Sequence, residues 1–266
     1  MHQSIMALGL MEDSDIVLDE AALALAALDR LEADLGPGRQ LLAMMTEQLA
    51  ADGEAGAPTA QAAALARVIA GEHGFRGDTE TYDDPANADL IAVLERRRGL
   101  PVALSIIYVA LARRLGWMAT ALNTPGHVLV RVGTGRDAVI IDPFNGGLPI
   151  GRDALLQLLA RGGGLVRPDH LPALSNQATL ARLLLNQATR ARQAGDLERA
   201  LELYRRLTTV APLVTALWQE QAALEQQAGL LASARRSLQA ALETTRDPNL
   251  RATLQTQLQQ LARSSH

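Results

Sequence analysis

Histidine is the scarce acid–base group of this chain, present only at positions 2, 73, 127, 170 and 266. No pair of them shows H-x-H or H-E-x-x-H spacing, so the sequence implies no metal site and no cofactor. His2 and His266 stand near the ends and His170 follows Pro168-Asp169, so all three read as surface residues. His127 is different. It opens the apolar run HVLVRV directly after Pro125-Gly126, and the next such run, AVIIDPF, carries Asp142-Pro143 near its end. Adjacent antiparallel strands of this length bring a His at the start of one beside an Asp at the end of the next. Such an imidazole–carboxylate pair is either a base with its orienter, as in nucleophilic catalysis, or a structural hydrogen bond. The pair by itself contains no nucleophile.

Composition narrows what a nucleophile can be. Cys is 0 and Lys is absent, so all 25 basic residues are Arg. Thiolate catalysis, disulfides, iron–sulfur ligation and Cys-bearing zinc sites are excluded, as are Schiff bases, a pyridoxal anchor and a P-loop. The net charge of −4 offers no basic face for nucleic acid. It is unevenly spread: residues 181–266 hold 11 Arg against 7 acids (+4), leaving −8 on residues 1–180, a split that suits two mutually attracting units. The first 20 residues include Glu12, Asp13, Asp15 and Asp19 where a signal peptide needs basic and then apolar residues, and Leu100–Ala112 is too short to cross a bilayer. A cytoplasmic protein with no membrane partner is expected.

The elements that must position His127 and Asp142 come from periodicity. Residues 16–34 read as an Ala/Leu-rich helix stopped by Gly36-Pro37-Gly38, followed by helices over 40–50 and 59–70 with a loop from Gly53 to Pro58 between them. Residues 73–99 start as an Asp-rich loop and become helical near Pro85–Asn87. Leu100–Leu115 has one apolar stripe at helical spacing, with Gly116 as its C-cap. Residues 118–124, 127–132 and 138–144 alternate as strands, and Asp153–Ala160 is a short helix followed by a flexible Gly162–Gly164 break. The fold class is therefore α+β, helices packed on a small antiparallel sheet.

From Ala173 the chain is helical and repeats at an offset of 34: Gly195 with Gly229, Leu197 with Leu231, Ala200 with Ala234. This period, with Gly between paired helices and a small Ala early in the second, resembles tetratricopeptide repeats. Two repeats and a capping helix over 249–262 are expected. The division is 1–172 for the α+β domain and 173–266 for the tail. Repeats of this kind suit a protein or peptide partner. Arg190, Arg192, Arg199, Arg205, Arg206, Arg235 and Arg236 are either a basic groove or solvated helix faces.

The stretch HGFRGDTETYDDPANADLIAVLERRRGLPVALSIIYVALARRLGW, with NTPGHVLVRV and IDPFNGG after it, resembles the SirB family of bacterial transglutaminase-like proteins. The resemblance runs from His73 to Gly147, and the N-terminal helices and repeat tail fit the same layout. It implies a papain/transglutaminase-like core, in which a Cys starts a helix packed on a sheet carrying His and Asp. It assigns the His and Asp positions to His127 and Asp142, and the Cys position to Pro101. Proline suits the first turn of a helix, so this departure keeps the helix and deletes the attacking atom. Ser105, one turn further on, is the substitute nucleophile to consider, although a Ser there more often bonds backbone. Two functions follow. One is a non-catalytic protein that binds through its cleft and tail; the other is an amide or ester hydrolase or acyltransferase using His127 and Asp142 with Ser105 or an activated water. Glu95, Arg97, Arg98 and Asn145-Gly146-Gly147 are candidates to shape a pocket, the plainer role for Arg97 and Arg98 being bonds to loop carbonyls or to the acidic loop at Asp83-Asp84. Phe75 and Tyr82 are expected to anchor the long loop.

Overall fold

The computed structural model describes residues 2–30, 32–51, 55–160 and 171–264. The expected Gly162–Gly164 break lies outside the described residues, as do Gly53 and Glu54. The chain divides into two compact units, Glu12–Leu183 and Gln3–Met11 with Leu184–His266, the division falling inside one helix.

After α1 (His2–Leu8), the first unit begins with α2 (Leu18–Ala27), which is fully buried at Leu23 and Ala22 and ends sooner than its Ala/Leu pattern suggested. Helix α3 (Gly36–Ala51) starts on the Gly-Pro-Gly that reads as a stop. The Asp34 carboxylate accepts the Gly36 N–H at 2.8 Å, and Pro37 occupies the first turn, where a missing N–H has no helical partner to lose. Helix α4 (Pro58–Leu65) widens into a π-helical turn over Ala66–Glu72, in which His73 N–H reaches back five residues to Val68 O.

Strand β1 (Arg76–Gly77) pairs in parallel with β2 (Arg98–Gly99) across a loop, a 3-10 turn at Pro85–Ala88 and helix α5 (Leu90–Arg96). Asp89 caps α5 by accepting the Ala92 N–H at 2.9 Å. Helix α6 (Pro101–Arg114) departs from its one-stripe expectation: every residue from 101 to 112 is buried, making it the central helix of the unit. It ends as expected on Gly116, at φ +72, with Gly116 N–H on Arg113 O and Trp117 N–H on Ala112 O.

The sheet runs β3 (Ala119–Thr124), β4 (His127–Val132), β5 (Val139–Asp142) and β6 (Leu148–Pro149), antiparallel and in chain order. The outer edge of β3 is covered by main-chain bonds with Pro172 and Leu174. Leu155 and Leu159 of α7 (Arg152–Ala160) pack on Leu122 and Leu129 of the sheet. Helix α8 (Asn176–Gln193) has its first turn capped by the Asp13 carboxylate, which accepts N–H groups of Asn176 and Gln177 at 2.9 Å each. Arg113 then donates to Asn176 Oδ1 at 2.7 Å.

The second unit is all helical: α9 (Leu197–Val210), α10 (Thr215–Gln227), α11 (Leu231–Thr244) and α12 (Pro248–Ser264). The 34-residue period is physical here. Helices α8 and α10 end at Gln193 and Gln227, Gly195 and Gly229 both adopt φ +74, and α9 and α11 start at Leu197 and Leu231. Ala200 and Ala234, early in each second helix, have no exposed surface. A buried polar row links Thr208, Gln221, Glu225 and Ser237 across α9, α10 and α11. Several tail Arg residues are neutralised locally, with Arg192 on Glu220 and Arg199 on Glu202 at 2.7 Å and Arg206 also on Glu202.

Candidate active-site cleft

Pro125 and Gly126 form a two-residue connection that places Thr124 opposite His127 in the β3–β4 register, and Thr124 Oγ1 donates to His127 O at 2.8 Å. Asp142 ends β5 on the neighbouring strand. The two side chains meet: His127 Nε2 lies 2.9 Å from Asp142 Oδ1. With a carboxylate as acceptor, Nε2 carries the proton, which leaves Nδ1 as the acceptor nitrogen of the neutral ring. No described group bonds Nδ1, and the imidazole is 14% exposed.

Asp142 is held from both sides. Oδ1 also accepts Phe144 N–H at 3.0 Å, and Oδ2 accepts the Asn145 amide at 2.7 Å, so the carboxylate caps the 3-10 turn Pro143–Asn145. Burial is the largest single influence on this group and pushes its pKa up. The His127 hydrogen bond and charge, with Asn145 and Phe144, outweigh burial and hold Asp142 below the usual carboxylate value. The pair is thus built to keep Asp142 ionised, with Nδ1 left as the acceptor nitrogen.

Helix α6 runs beneath this turn. Pro101 is its first residue and is buried, and Leu100 before it supplies no side-chain cap. Ser105 has no exposed surface, and its hydroxyl donates to Val128 O at 3.4 Å. Tyr108, on the same helix face two turns from Pro101, is fully buried, and its hydroxyl has no hydrogen-bond partner among the described residues. Burial first, then the charge of Asp142, push its pKa up. Above it passes Gly147 at φ +73, where a Cβ would stand 2.5 Å from the Tyr108 hydroxyl and ring.

Phe144 is the residue that composition and spacing missed. Its ring lies edge to face with His127 at 5.8 Å and with Tyr82 at 5.9 Å. Its other neighbour is the backbone of Gly77, so close that a Cβ there would fall 2.5 Å from three ring atoms. Phe144 therefore joins the long loop to the imidazole. The only signals for this were its place in IDPFNGG and the scarcity of Phe, two in the chain.

The loop itself is fastened by Asp78, which is 1% exposed. Its carboxylate accepts Thr81 N–H at 2.8 Å, Thr81 Oγ1 at 2.7 Å, Glu80 N–H at 3.1 Å and Arg96 at 3.2 Å. Asn87, fully buried, donates to Thr81 O at 2.6 Å. The Thr81 N–H bond is the main cause that draws the Asp78 pKa down from 3.8 to about 2. A depressed carboxylate pKa contributes stability above its unfolded value and loses it as pH falls through the folded value. Between about pH 4 and pH 2 the wild type should therefore lose on the order of 1–2 kcal/mol that Asp78→Asn never had. Urea unfolding of both proteins at pH 5 and pH 2.5 checks this; parallel losses would refute it.

Among the other candidates, Arg98 pairs with Glu80 at 2.9 Å, and Arg96 reaches Asp84 at 3.5 Å as well as Asp78. Arg97 donates to Leu94 O and lies 4.9 Å over the Phe75 ring, and Phe75 is buried. His73 bonds Gln48 at 2.6 Å, and burial, then the charge of Arg97, hold its pKa down. The exposure expected of His170 and His266 lies outside the described residues, as does the side chain of His2. No group of three metal-binding side chains and no helix long and apolar enough to span a membrane occurs among the described residues.

Comparison with known proteins agrees with this architecture. The family model for the transglutaminase-like superfamily matches residues 25–185. A UPF0162 protein of Xylella fastidiosa is 35% identical over 130 residues, 47% of this chain and 46% of the relative, so the alignment spans about half that relative's length. A UPF0162 protein of Pseudomonas aeruginosa is 31% identical over 194 residues, 72% of this chain and 71% of the relative. Human F-box only protein 21 is 34% identical over 71 residues, 27% of this chain and 11% of that protein. The family model over residues 25–185 and the Pseudomonas match over 72% of the chain show that it belongs to the transglutaminase-like superfamily, alongside the bacterial UPF0162 proteins.

Proposed function

We propose that this protein is a non-catalytic member of the superfamily, a binding or regulatory module that uses its cleft and its helical tail. The observation that carries the reading is Pro101 at the first position of α6. A proline there removes the thiol that the resemblance expects. It also removes the backbone N–H that a nucleophilic residue can offer to an oxyanion in acyl transfer. Ser105 gives no support to an active alternative, being buried and directed at the Val128 carbonyl. What survives is an imidazole with a fixed tautomer and a free Nδ1, a group suited to accepting a hydrogen bond from a ligand.

The SirB family assignment belongs to this proposal, as do the tetratricopeptide-like character of residues 173–266, a protein or peptide partner for that tail, and a cytoplasmic setting. Repeated helix pairs with small residues at their contacts favour peptide recognition. A fluorophosphonate probe and a panel of amide and ester substrates test the central point. Wild type, Ser105→Ala and His127→Ala should give the same background labelling and hydrolysis. Labelling or turnover that Ser105→Ala or His127→Ala abolishes would overturn it.

A further inference from the structure

A recess lies apart from the His127–Asp142 pair, and none of its walls comes from the strands or turns that carry those two residues. It is a cavity of about 190 Å³ floored by Leu23 of α2, Leu41 of α3, and Ile91 and Leu94 of α5. Close approach of α3 to α5 forms it: a Cβ on Gly38 would sit 3.1 Å from Leu94 Cδ1. Met44, one turn beyond Leu41 on α3, extends the apolar strip and is 45% exposed.

The rim is acidic. Asp34 and Glu95 are both exposed, and Asp34 accepts only the Gly36 N–H, while Glu95 has no partner among the described residues. The nearby cations are spent elsewhere: Arg30 on Asp89, Arg39 on Glu20 and Arg98 on Glu80. The one Arg in the lining, Arg97, turns to Leu94 O and the Phe75 ring. It is also the one non-glycine residue with positive φ, +59, among the described residues. This left-handed conformation is the C-cap that ends α5, with Arg97 N–H on Val93 O at 2.9 Å. Residues 1–180 as a whole carry −8.

We propose that this recess is a docking site for a basic peptide segment of a partner protein, which seats one aliphatic or aromatic side chain in the cavity and places flanking Arg or Lys on Asp34 and Glu95. A single large side chain fits the volume, and a buried apolar anchor ringed by charge pairs is how small interfaces concentrate their energy.

Selection of random peptides displayed on phage against the full chain, followed by anisotropy titration of the winners, tests this. Enriched peptides should carry Leu, Met or Phe within four residues of two or more Arg or Lys. Their affinity should fall at least tenfold in Glu95→Arg and in Leu41→Glu, and should weaken as salt rises. Glu95 is exposed, so Glu95→Arg reports on binding even if Leu41→Glu perturbs folding. The proposal is overturned by three outcomes: no enrichment of such peptides, winners that bind Glu95→Arg as well as wild type, or a concentration-dependent dimer that Glu95→Arg disrupts, which would make a second copy the occupant.

Discussion

Pro101→Cys should give this protein its single thiol, and that thiol should ionise well below the usual value of about 8.5. Because the native chain has no Cys, the ultraviolet absorbance of the thiolate reads position 101 without background. Two forces compete there. Burial pushes a thiol pKa up. The positive end of the 14-residue α6, uncapped by Leu100, pulls it down, and so would the His127 imidazole if it stands within reach of position 101. If position 101 is where the nucleophile of catalytic relatives stands, the second pair wins and the midpoint falls by at least one pH unit. Adding His127→Ala should then move the midpoint back up. A thiol that titrates at or above about 8.5, or one indifferent to His127, would place the nucleophile position elsewhere. Loss of the proline's restriction on the unfolded chain should cost only about 0.4–1 kcal/mol, so folding does not confound the measurement.

The outcome bears on why so much of the cleft was legible in the sequence. His127 and Asp142 could be paired in advance because each ends or begins a short alternating run, and a tight Pro-Gly connection fixes the register between β3 and β4. Helix α6 was bounded within a residue at either end for similar reasons, Pro at its start and Gly116 at its close. The tail's period was readable because glycine is needed at φ +74 at both Gly195 and Gly229.

What stayed hidden depends on contacts distant in sequence. The two-residue strands β1 and β2 carry no alternation to detect, and β6 is equally short. Gly36-Pro37-Gly38 read as a stop because its residues break helices in general, yet Asp34 and the tolerance of a first turn for proline make it a start. The full burial of α6 erased the polar face that periodicity looks for. Phe144 and Tyr108 gained their roles only when Gly77 and Gly147 let backbone approach their rings. None of these is a property of a local window.

Gly147→Ala is the substitution that should most damage the cleft. A non-glycine residue at φ +73 costs about 1 kcal/mol from its own backbone. The added methyl would also stand 2.5 Å from Tyr108 Cε1 and its hydroxyl and 2.7 Å from Cζ, and Tyr108 has no exposed surface into which it could retreat. Overpacking of this kind costs a further ~1–3 kcal/mol, so a total near 3 kcal/mol is expected in urea unfolding. Relief comes through the turn, whose Gly147 N–H bonds Asp142 O at 2.7 Å, so the displacement reaches the carboxylate that orients His127. Two companion variants apportion the effect. Tyr108→Phe removes a buried hydroxyl with no partner and should be neutral or mildly stabilising. In a Tyr108→Leu background the clash is gone, and Gly147→Ala should cost only its backbone strain, a coupling of roughly 2 kcal/mol between the two positions. Equal costs in both backgrounds would mean that Tyr108 does not support the Asp142 turn. The stated coupling would show that α6 holds the His127–Asp142 pair in place through this glycine contact, with Pro101 at the helix start two turns away.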